Sequence, residues 1–550
     1  MLTSGDWVIA RLDGVPYIEK SPLVYWLIAF SYHVFGIHDW AARIPIALAA
    51  VLLAWVTYRY GRWAFGGRAG YYAGIVLATC VGLFLFTRIL IPDVMLTLTT
   101  CLGFWAFQRA TDSDESELQK RIWAAVLAAS LGAGVMLKGL IALVVVGGGI
   151  FVYLLLTKQL FSRNIWKNLH VVSGAVIFLV IAAPWHVIAT LRMPPYLVFT
   201  MHAGPGEYHG FFWFYFMNEH VLRFLNLRYP RDYDTVPRPL FWLLHFVWLF
   251  PWSVYSASVL RQNFRPTDRA GRTRLLALCW AGFLMVFFTF STTQEYYSMP
   301  IYPALALLLG SAMVADDSWT RWGTRVLGVI TALCTVCIAV LLYLVRNAPA
   351  PGDISEALHQ HPGAYRLSMG HIGDLTIPSF AYLRLPLAIA GIAFLLGTLA
   401  CWFLRGRRAY LGIAVMMVLF IHAARLALVV FDPYLSSRPL ATALLHAPNG
   451  QLISNGAYYE FSSVYFYADR NLLIWNGRKN NLEYGSYSPG SPPVFIDDSR
   501  FQSFWNSSNR YFVLTDGPRM AHLKETAPSN RLFLVAESGG KSLFSNQPIN

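Results

Sequence analysis

The chain has 550 residues, of which 56% are hydrophobic and only 13% charged, and a formal net charge of +14. This composition excludes a disordered chain and fits a multi-pass membrane protein. In such a protein an excess of Lys and Arg reports loop topology first, so the charge is not read as a nucleic-acid signal.

Residues 1–40 read as an external segment. Its stretch "SPLVYWLIAFSYHVFG" is apolar but too short to cross a bilayer, and it suits a helix lying in the membrane interface. Apolar runs of spanning character follow near 41–57, 70–86, 90–108, 122–137, 139–156, 171–190, 239–257, 275–290, 299–314, 326–345, 383–404 and 409–430, about twelve in all. Basic clusters mark every second loop. Arg59, Arg62 and Arg68 follow the first span, Lys120 and Arg121 the third, and Lys158, Arg163 and Lys167 the fifth. Arg261, Arg265, Arg269, Arg272 and Arg274 follow the seventh, Arg321 and Arg325 the ninth, and Arg405, Arg407 and Arg408 the eleventh. These loops face the cytoplasm, while 191–238, 346–382 and everything after 431 face outside.

The alternation also places the N-terminus outside, so a further spanning helix is expected ahead of Met1. From about 433 the composition turns to Asn, Ser, Gly and Tyr. Short strand-like runs appear there, "RYFVLT", "RLFLVAES" and, after a "GG" turn, "KSLF". Residues 433–550 therefore read as an external α/β domain. All six cysteines (Cys80, Cys101, Cys279, Cys334, Cys337 and Cys401) fall in expected spans, which leaves no disulfide framework outside.

Charges at the membrane edge carry the functional signal. Glu19 and Lys20 stand side by side in "GVPYIEKSPLVYW", and a lysine ammonium is a compact cation suited to phosphate. Asp93 in "RILIPDVML" follows Pro92 at the outer end of a span. It suits either a helix N-terminus or an active-site carboxylate. The loop 191–238 holds Arg192, Arg223, Arg228, Arg231 and Arg238, against the positive-inside bias, which points to anionic headgroups or a phosphate-bearing lipid.

Within that loop, "FMNEHVLRF" places Glu219, His220 and Arg223 in about one helical turn. His220 is either structural or a metal ligand, with Glu19 as a second ligand. Tyr296 and Tyr297 in "STTQEYYSMPIYPAL" suit an aromatic belt or a site. Lys138 interrupts the apolar run "MLKGL" at an outer helix hairpin, and Arg425 lies near the outer end of the last span. "VVVGGGIFVY" lies inside a span and reads as helix packing, not as a phosphate loop.

The segments "SGDWVIARLDGVPYIEKSPLVYW", "RILIPDVMLTL", "LKGLIAL", "FFWFYFMNEHVLRF" and "EYYSMPIYPALALLLG" resemble the integral-membrane glycosyltransferases of GT-C type that use polyprenyl-phosphate sugars. The likeness covers most of residues 1–430. It is nearest to the bacterial aminoarabinose transferases acting on lipid A and more distant from protein O-mannosyltransferases. The chain has Glu19-Lys20-Ser21-Pro22 where that family commonly has EKPP. The family also carries a spanning helix and an acidic motif ahead of "SGDW".

The resemblance implies an external cavity for a lipid-phosphate sugar. Lys20 would bind the phosphate, with Arg223 and Tyr297 nearby and Tyr17 in the same motif. Asp93, Glu19 and Lys20 would serve catalysis. Glu19 and His220 match positions that bind a divalent metal ion, zinc or magnesium/manganese. The implied partners are an undecaprenyl-phosphate-linked sugar, lipid A or another glycolipid as acceptor, and membrane lipids, with no nucleic acid. The chain would act as a monomer in the bacterial inner membrane. A lipid transporter or flippase is the competing class, but transporters of such size often show repeated halves, and no repeat is visible here.

Overall fold

In the computed structural model, residues 1–231, 235–291, 294–359 and 368–549 are described. The expected outer loops 191–238 and 346–382 therefore lie partly outside the described residues. The chain opens with a two-stranded hairpin, β1 (Arg11–Leu12) and β2 (Val15–Pro16), followed by α1 (Leu23–Phe35). At 13 residues α1 is too short to span.

A helical bundle follows: α2 (Asp39–Phe65), α3 (Gly67–Thr79), α4 (Val81–Phe86), α5 (Asp93–Thr111), α6 (Glu117–Lys138) and α7 (Ile141–Leu156). Later long helices are Val171–Arg192, Arg269–Thr289, Ser318–Leu344, Arg384–Phe403 and Arg407–Val430.

Caps explain several starts. Ser116 and Gln119 form a reciprocal capping box ahead of α6. Asp268 caps Arg269–Thr289 by accepting from the Gly271 amide, and Asp317 caps Ser318–Leu344. Both aspartates lie in loops read as cytoplasmic.

Seven helices among the described residues are long and apolar enough to cross a membrane, or eight if the bent pair Arg238–Trp248 and Trp252–Val259 counts as one. The sequence reading of about twelve spans is not reached by this measure, for physical reasons visible in the helices. The run 70–86 is broken at Cys80, whose extended backbone separates α3 from α4. The run 239–257 bends by 99°. The run 299–314 becomes a 12-residue helix, Tyr302–Met313, after a 3₁₀ turn. The run 139–156 becomes the 16-residue α7. The glycine run in α7 packs helices together. A Cβ at Gly149 would lie 2.7 Å from the Phe104 ring, and one at Gly148 would overlap Phe283.

The C-terminal part is an α/β unit with a six-stranded sheet in the order β5-β4-β3-β6-β8-β7. The strands are β3 (Gln451–Asn455), β4 (Leu472–Trp475), β5 (Phe495–Ile496), β6 (Tyr511–Asp516), β7 (Phe533–Ser538) and β8 (Lys541–Ser545). β3 to β6 are parallel, and β8 runs antiparallel to both β6 and β7. Their apolar side chains feed one core on each face of the sheet, the pattern of a sheet covered on both sides. Val15 of the N-terminal hairpin is buried in one of these cores. The hairpin thus fixes the following segment, Tyr17–Lys20, between the sheet unit and the helical bundle.

Candidate active site

Lys20 and Glu19 lie between β2 and α1. The next residue, Ser21, is fully buried, and its hydroxyl donates to the Val135 carbonyl at 2.8 Å and meets the Tyr215 hydroxyl. Ser21 therefore anchors the motif to α6 and to the π-helix Trp213–Leu222. Glu19 is buried. One carboxylate oxygen accepts from the Tyr17 hydroxyl at 2.9 Å. The other pairs with Lys20 and lies 3.5 Å from Arg223. Burial alone would raise the Glu19 carboxyl, but Lys20, Arg228 and Arg223 together hold it below the usual carboxylate range.

The second wall is the α5–α6 pair. Asp93 is the first residue of α5 after Pro92 and is 1% exposed. Its carboxylate meets the Lys138 ammonium at 2.5 Å. Lys138 ends α6, and its ammonium lies 4.6 Å from the centre of the Tyr297 ring. The helix stops because Gly139 takes φ +75°, a backbone setting that side chains disfavour. A Cβ at Gly139 would lie 2.2 Å from Nε2 of His220, so the position also needs glycine for space.

The third wall is the π-helix Trp213–Leu222 and its continuation. Arg223 donates to Glu219 at 2.6 Å and to the Tyr297 hydroxyl at 2.7 Å. Arg228, with no exposed side-chain surface, donates to the other Glu219 oxygen at 2.5 Å and to the Pro230 carbonyl at 2.7 Å. Four cations (Lys20, Lys138, Arg223 and Arg228) thus face three carboxylates (Glu19, Asp93 and Glu219), a surplus of one positive charge.

These walls enclose a cavity of about 390 Å³. Lys20, Lys138, Arg223, Glu19 and Tyr297 line it at one side. Val144, Val145, Phe224, Phe287 and Phe288 continue the lining as apolar surface. A site with clustered cations and an apolar extension suits a phosphate carrying a hydrocarbon tail.

The structure shows where three of the expected site groups sit relative to the cavity. Asp93 does not line the cavity but stands behind Lys138 and reaches the cavity through it. Tyr17 does not line the cavity either, and acts on it through Glu19. The metal reading of Glu19 and His220 does not fit. His220 Nε2 accepts from the Leu140 amide at 2.9 Å, so Nδ1 carries the proton and donates to the Tyr215 carbonyl at 2.6 Å. Both ring nitrogens are therefore used, and both Glu19 oxygens are engaged. Among the described residues no group of three or more His, Cys, Asp or Glu is placed to hold a metal ion. Burial pushes the His220 imidazole below its usual value, which keeps it neutral. Lys138, Glu219 and Arg228 complete the charge network. Lys138 had left one signal in the sequence, a lone charge in an apolar run.

Comparison with known proteins gives a consistent picture. The family described as dolichyl-phosphate-mannose-protein mannosyltransferase matches residues 19–188, which includes Glu19, Lys20, Asp93 and Lys138. ArnT from Cupriavidus metallidurans in its apo state superposes with a TM-score of 0.76 at 20% identity, covering all of this chain and 91% of that one. The fold is that of ArnT. The same protein bound to undecaprenyl phosphate superposes with a TM-score of 0.72 at 22% identity, with the same coverage. The chain also resembles an undecaprenyl phosphate-alpha-4-amino-4-deoxy-L-arabinose arabinosyl transferase of Pseudomonas fluorescens, 27% identical over 68% of this chain and 60% of that protein. A relative of the same description from Erwinia tasmaniensis is 26% identical over 65% of this chain and 62% of that protein. The chain thus spans about 60% of the length of the curated relatives it matches.

Proposed function

We propose that this chain is an inverting glycosyltransferase of the bacterial inner membrane. It moves 4-amino-4-deoxy-L-arabinose from undecaprenyl phosphate to a phosphate of lipid A at the periplasmic face. The observation that carries this reading is the cavity in which Lys20, Lys138 and Arg223 gather at one side of an apolar lining. The ArnT fold and the relatives described as arabinosyl transferases support the donor and the sugar.

The donor sugar is already activated by its phosphodiester, so no nucleotide enters the step. An acceptor oxygen forms the new bond to the anomeric carbon while the bond to the lipid phosphate breaks. The leaving phosphate keeps the electron pair. Lys20, Lys138 and Arg223 are already in place where that charge grows, and preorganised cations stabilise it most in a site of low water content. Tyr297 holds one end of the Arg223 fork. Glu19 and Asp93 are positioning residues that keep Lys20, Arg223 and Lys138 charged and aimed.

The site also bears on the acceptor. Its carboxylates Glu19 and Glu219 are bound in ion pairs, and His220 is neutral with both nitrogens engaged. A hydroxyl acceptor needs a general base, whereas a phosphate monoester is already an anion near pH 7, its second pKa being about 6. An acceptor that is already an anion therefore suits the residues that line this cavity.

The test is transfer itself. The purified chain, reconstituted in proteoliposomes with undecaprenyl-phosphate-linked aminoarabinose and lipid A, should yield lipid A heavier by one aminopentose and release undecaprenyl phosphate. Release of undecaprenyl phosphate with no sugar on lipid A would overturn the acceptor. Movement of the intact donor across the bilayer without transfer would overturn the enzyme reading.

A further inference from the structure

A second cationic patch lies outside the cavity, at the same end of the helices as Asp93. Arg43 is on the first turns of α2, Arg88 is in the turn between α4 and α5, and Arg425 is near the end of the helix Arg407–Val430. The Arg43 guanidinium donates to the Arg88 carbonyl at 2.7 Å. The Arg88 guanidinium lies 4.8 Å from the centre of the Phe84 ring. Partial burial, and then the charges of Arg43 and Arg425, hold Arg88 below its ordinary value, so both neighbours act on the Arg88 guanidinium. All three are exposed.

Among the described residues, no carboxylate forms an ion pair with any of the three. Asp39, on the same helix as Arg43, feels the Arg43 charge without forming an ion pair with it. Asp39 already accepts from the Tyr467 hydroxyl at 2.8 Å and lies 4.0 Å from Arg438. With Arg438 the neighbourhood holds four arginines against two carboxylates, Asp39 and Asp432, an excess of two positive charges. The positive-inside bias does not account for them, because they sit opposite the basic loops read as cytoplasmic. Exposed Trp40, Ile89, Leu90 and Val429 surround the patch with apolar surface. Guanidinium groups beside apolar surface match a phosphate at the head of a lipid, because the fork takes two phosphate oxygens while the chains rest on the apolar rim.

We propose that Arg43, Arg88 and Arg425 form a second binding site for the phosphate headgroup of a lipid, separate from the cavity of Lys20 and Arg223. The site stands independently of the transfer reaction proposed above. Asp93 is five residues beyond Arg88 in the chain, so a lipid held at the patch lies on the flank of the wall that carries the Asp93–Lys138 pair.

The test is native mass spectrometry of the full chain in a neutral detergent, with dioctanoyl phosphatidate as the probe. Wild type should carry two phosphatidates, and the K20M/R223M variant should keep the one at the patch. R43Q/R88Q/R425Q should weaken the patch site by about tenfold or more while the cavity site persists, which also shows that the variant is folded. R43K/R88K/R425K should retain most of the binding, because the charge remains. If the triple glutamine variant does not fold, the exposed single substitution R88Q should still weaken binding at the patch. The proposal fails if the glutamine variants leave both sites unchanged, or if dioctanoyl phosphatidylcholine binds the patch as well as phosphatidate. It also fails if inorganic phosphate displaces phosphatidate at equal concentration, since the occupant would then be a free anion.

Discussion

Lys138, the last residue of α6, and Asp93, the first of α5, meet in an ion pair at 2.5 Å. Only the lysine lines the cavity. Breaking a buried pair from one side typically costs about 3–5 kcal/mol, because the remaining charge is left uncompensated. D93N should therefore lower stability by about 3 kcal/mol and reduce transfer. The double variant D93N/K138Q should recover most of the stability but not the transfer. Thermal unfolding in detergent and the proteoliposome assay, run on wild type and both variants, check this. A double variant no more stable than D93N would show that the pair does not carry the cost.

Gly139 is the second sensitive point. G139A puts a methyl group where Nε2 of His220 now lies and asks alanine to take φ +75°. Backbone strain of this kind costs about 1–3 kcal/mol, and the displaced imidazole loses its bond from the Leu140 amide as well. G139A should be clearly destabilising in wild type and less so in an H220A background, where the tighter collision is gone and only the Tyr215 hydroxyl, 2.8 Å from the new Cβ, remains close. Equal costs in both backgrounds would show that the backbone setting alone requires glycine.

His220 gives the site an acid sensitivity. Burial pushes its folded-state value below the usual imidazole value of about 6.5. The unfolded chain then binds more protons than the folded one as pH falls through about 6.5, so stability drops in that direction. The contribution of a neutral His220 is complete above about pH 7 and is lost progressively below it. H220Q, which can donate to one carbonyl and accept from one amide, should flatten the fall in melting temperature between pH 7 and pH 5. An unchanged slope would assign that acid sensitivity to other groups.

Arg223 spans three partners, Glu219, Glu19 and Tyr297, and a lysine cannot reproduce that fork. R223K should reduce kcat/KM by about a hundredfold, in line with the loss of charge-assisted bonds worth about 1.5–3 kcal/mol each. Y297F removes one of these bonds and should cost about tenfold. The ratio of the two effects, read from steady-state kinetics, separates the fork from simple charge. R223K behaving like Y297F would contradict this account.

The sequence showed the charged motifs better than it showed how they meet. Glu19, Lys20 and "NEHVLR" stood out because charge at a membrane edge is costly, and the structure brings them to one cavity. The strands at 511–516, 533–538 and 541–545 were legible as short strand-like runs, the last two parted by a "GG" turn. The Asp93–Lys138 pair was not legible, because it joins residues 45 apart through the packing of α5 on α6. What competes with a metal at His220 was hidden for a related reason. Its two ring nitrogens are taken by the backbone of Tyr215 and Leu140, partners that residue spacing does not reveal. The break at Cys80 was hidden as well, since an extended residue inside an apolar run leaves no polar mark.

The most direct measurement is the affinity of the chain for undecaprenyl phosphate in wild type, K20M, R223M and K138M, taken in the same detergent. If the cavity holds a lipid phosphate through these three cations, each substitution should weaken binding by about tenfold or more, with melting temperatures showing that the variants remain folded. Undecaprenyl phosphate bound equally by all four proteins would place its phosphate elsewhere and contradict the account.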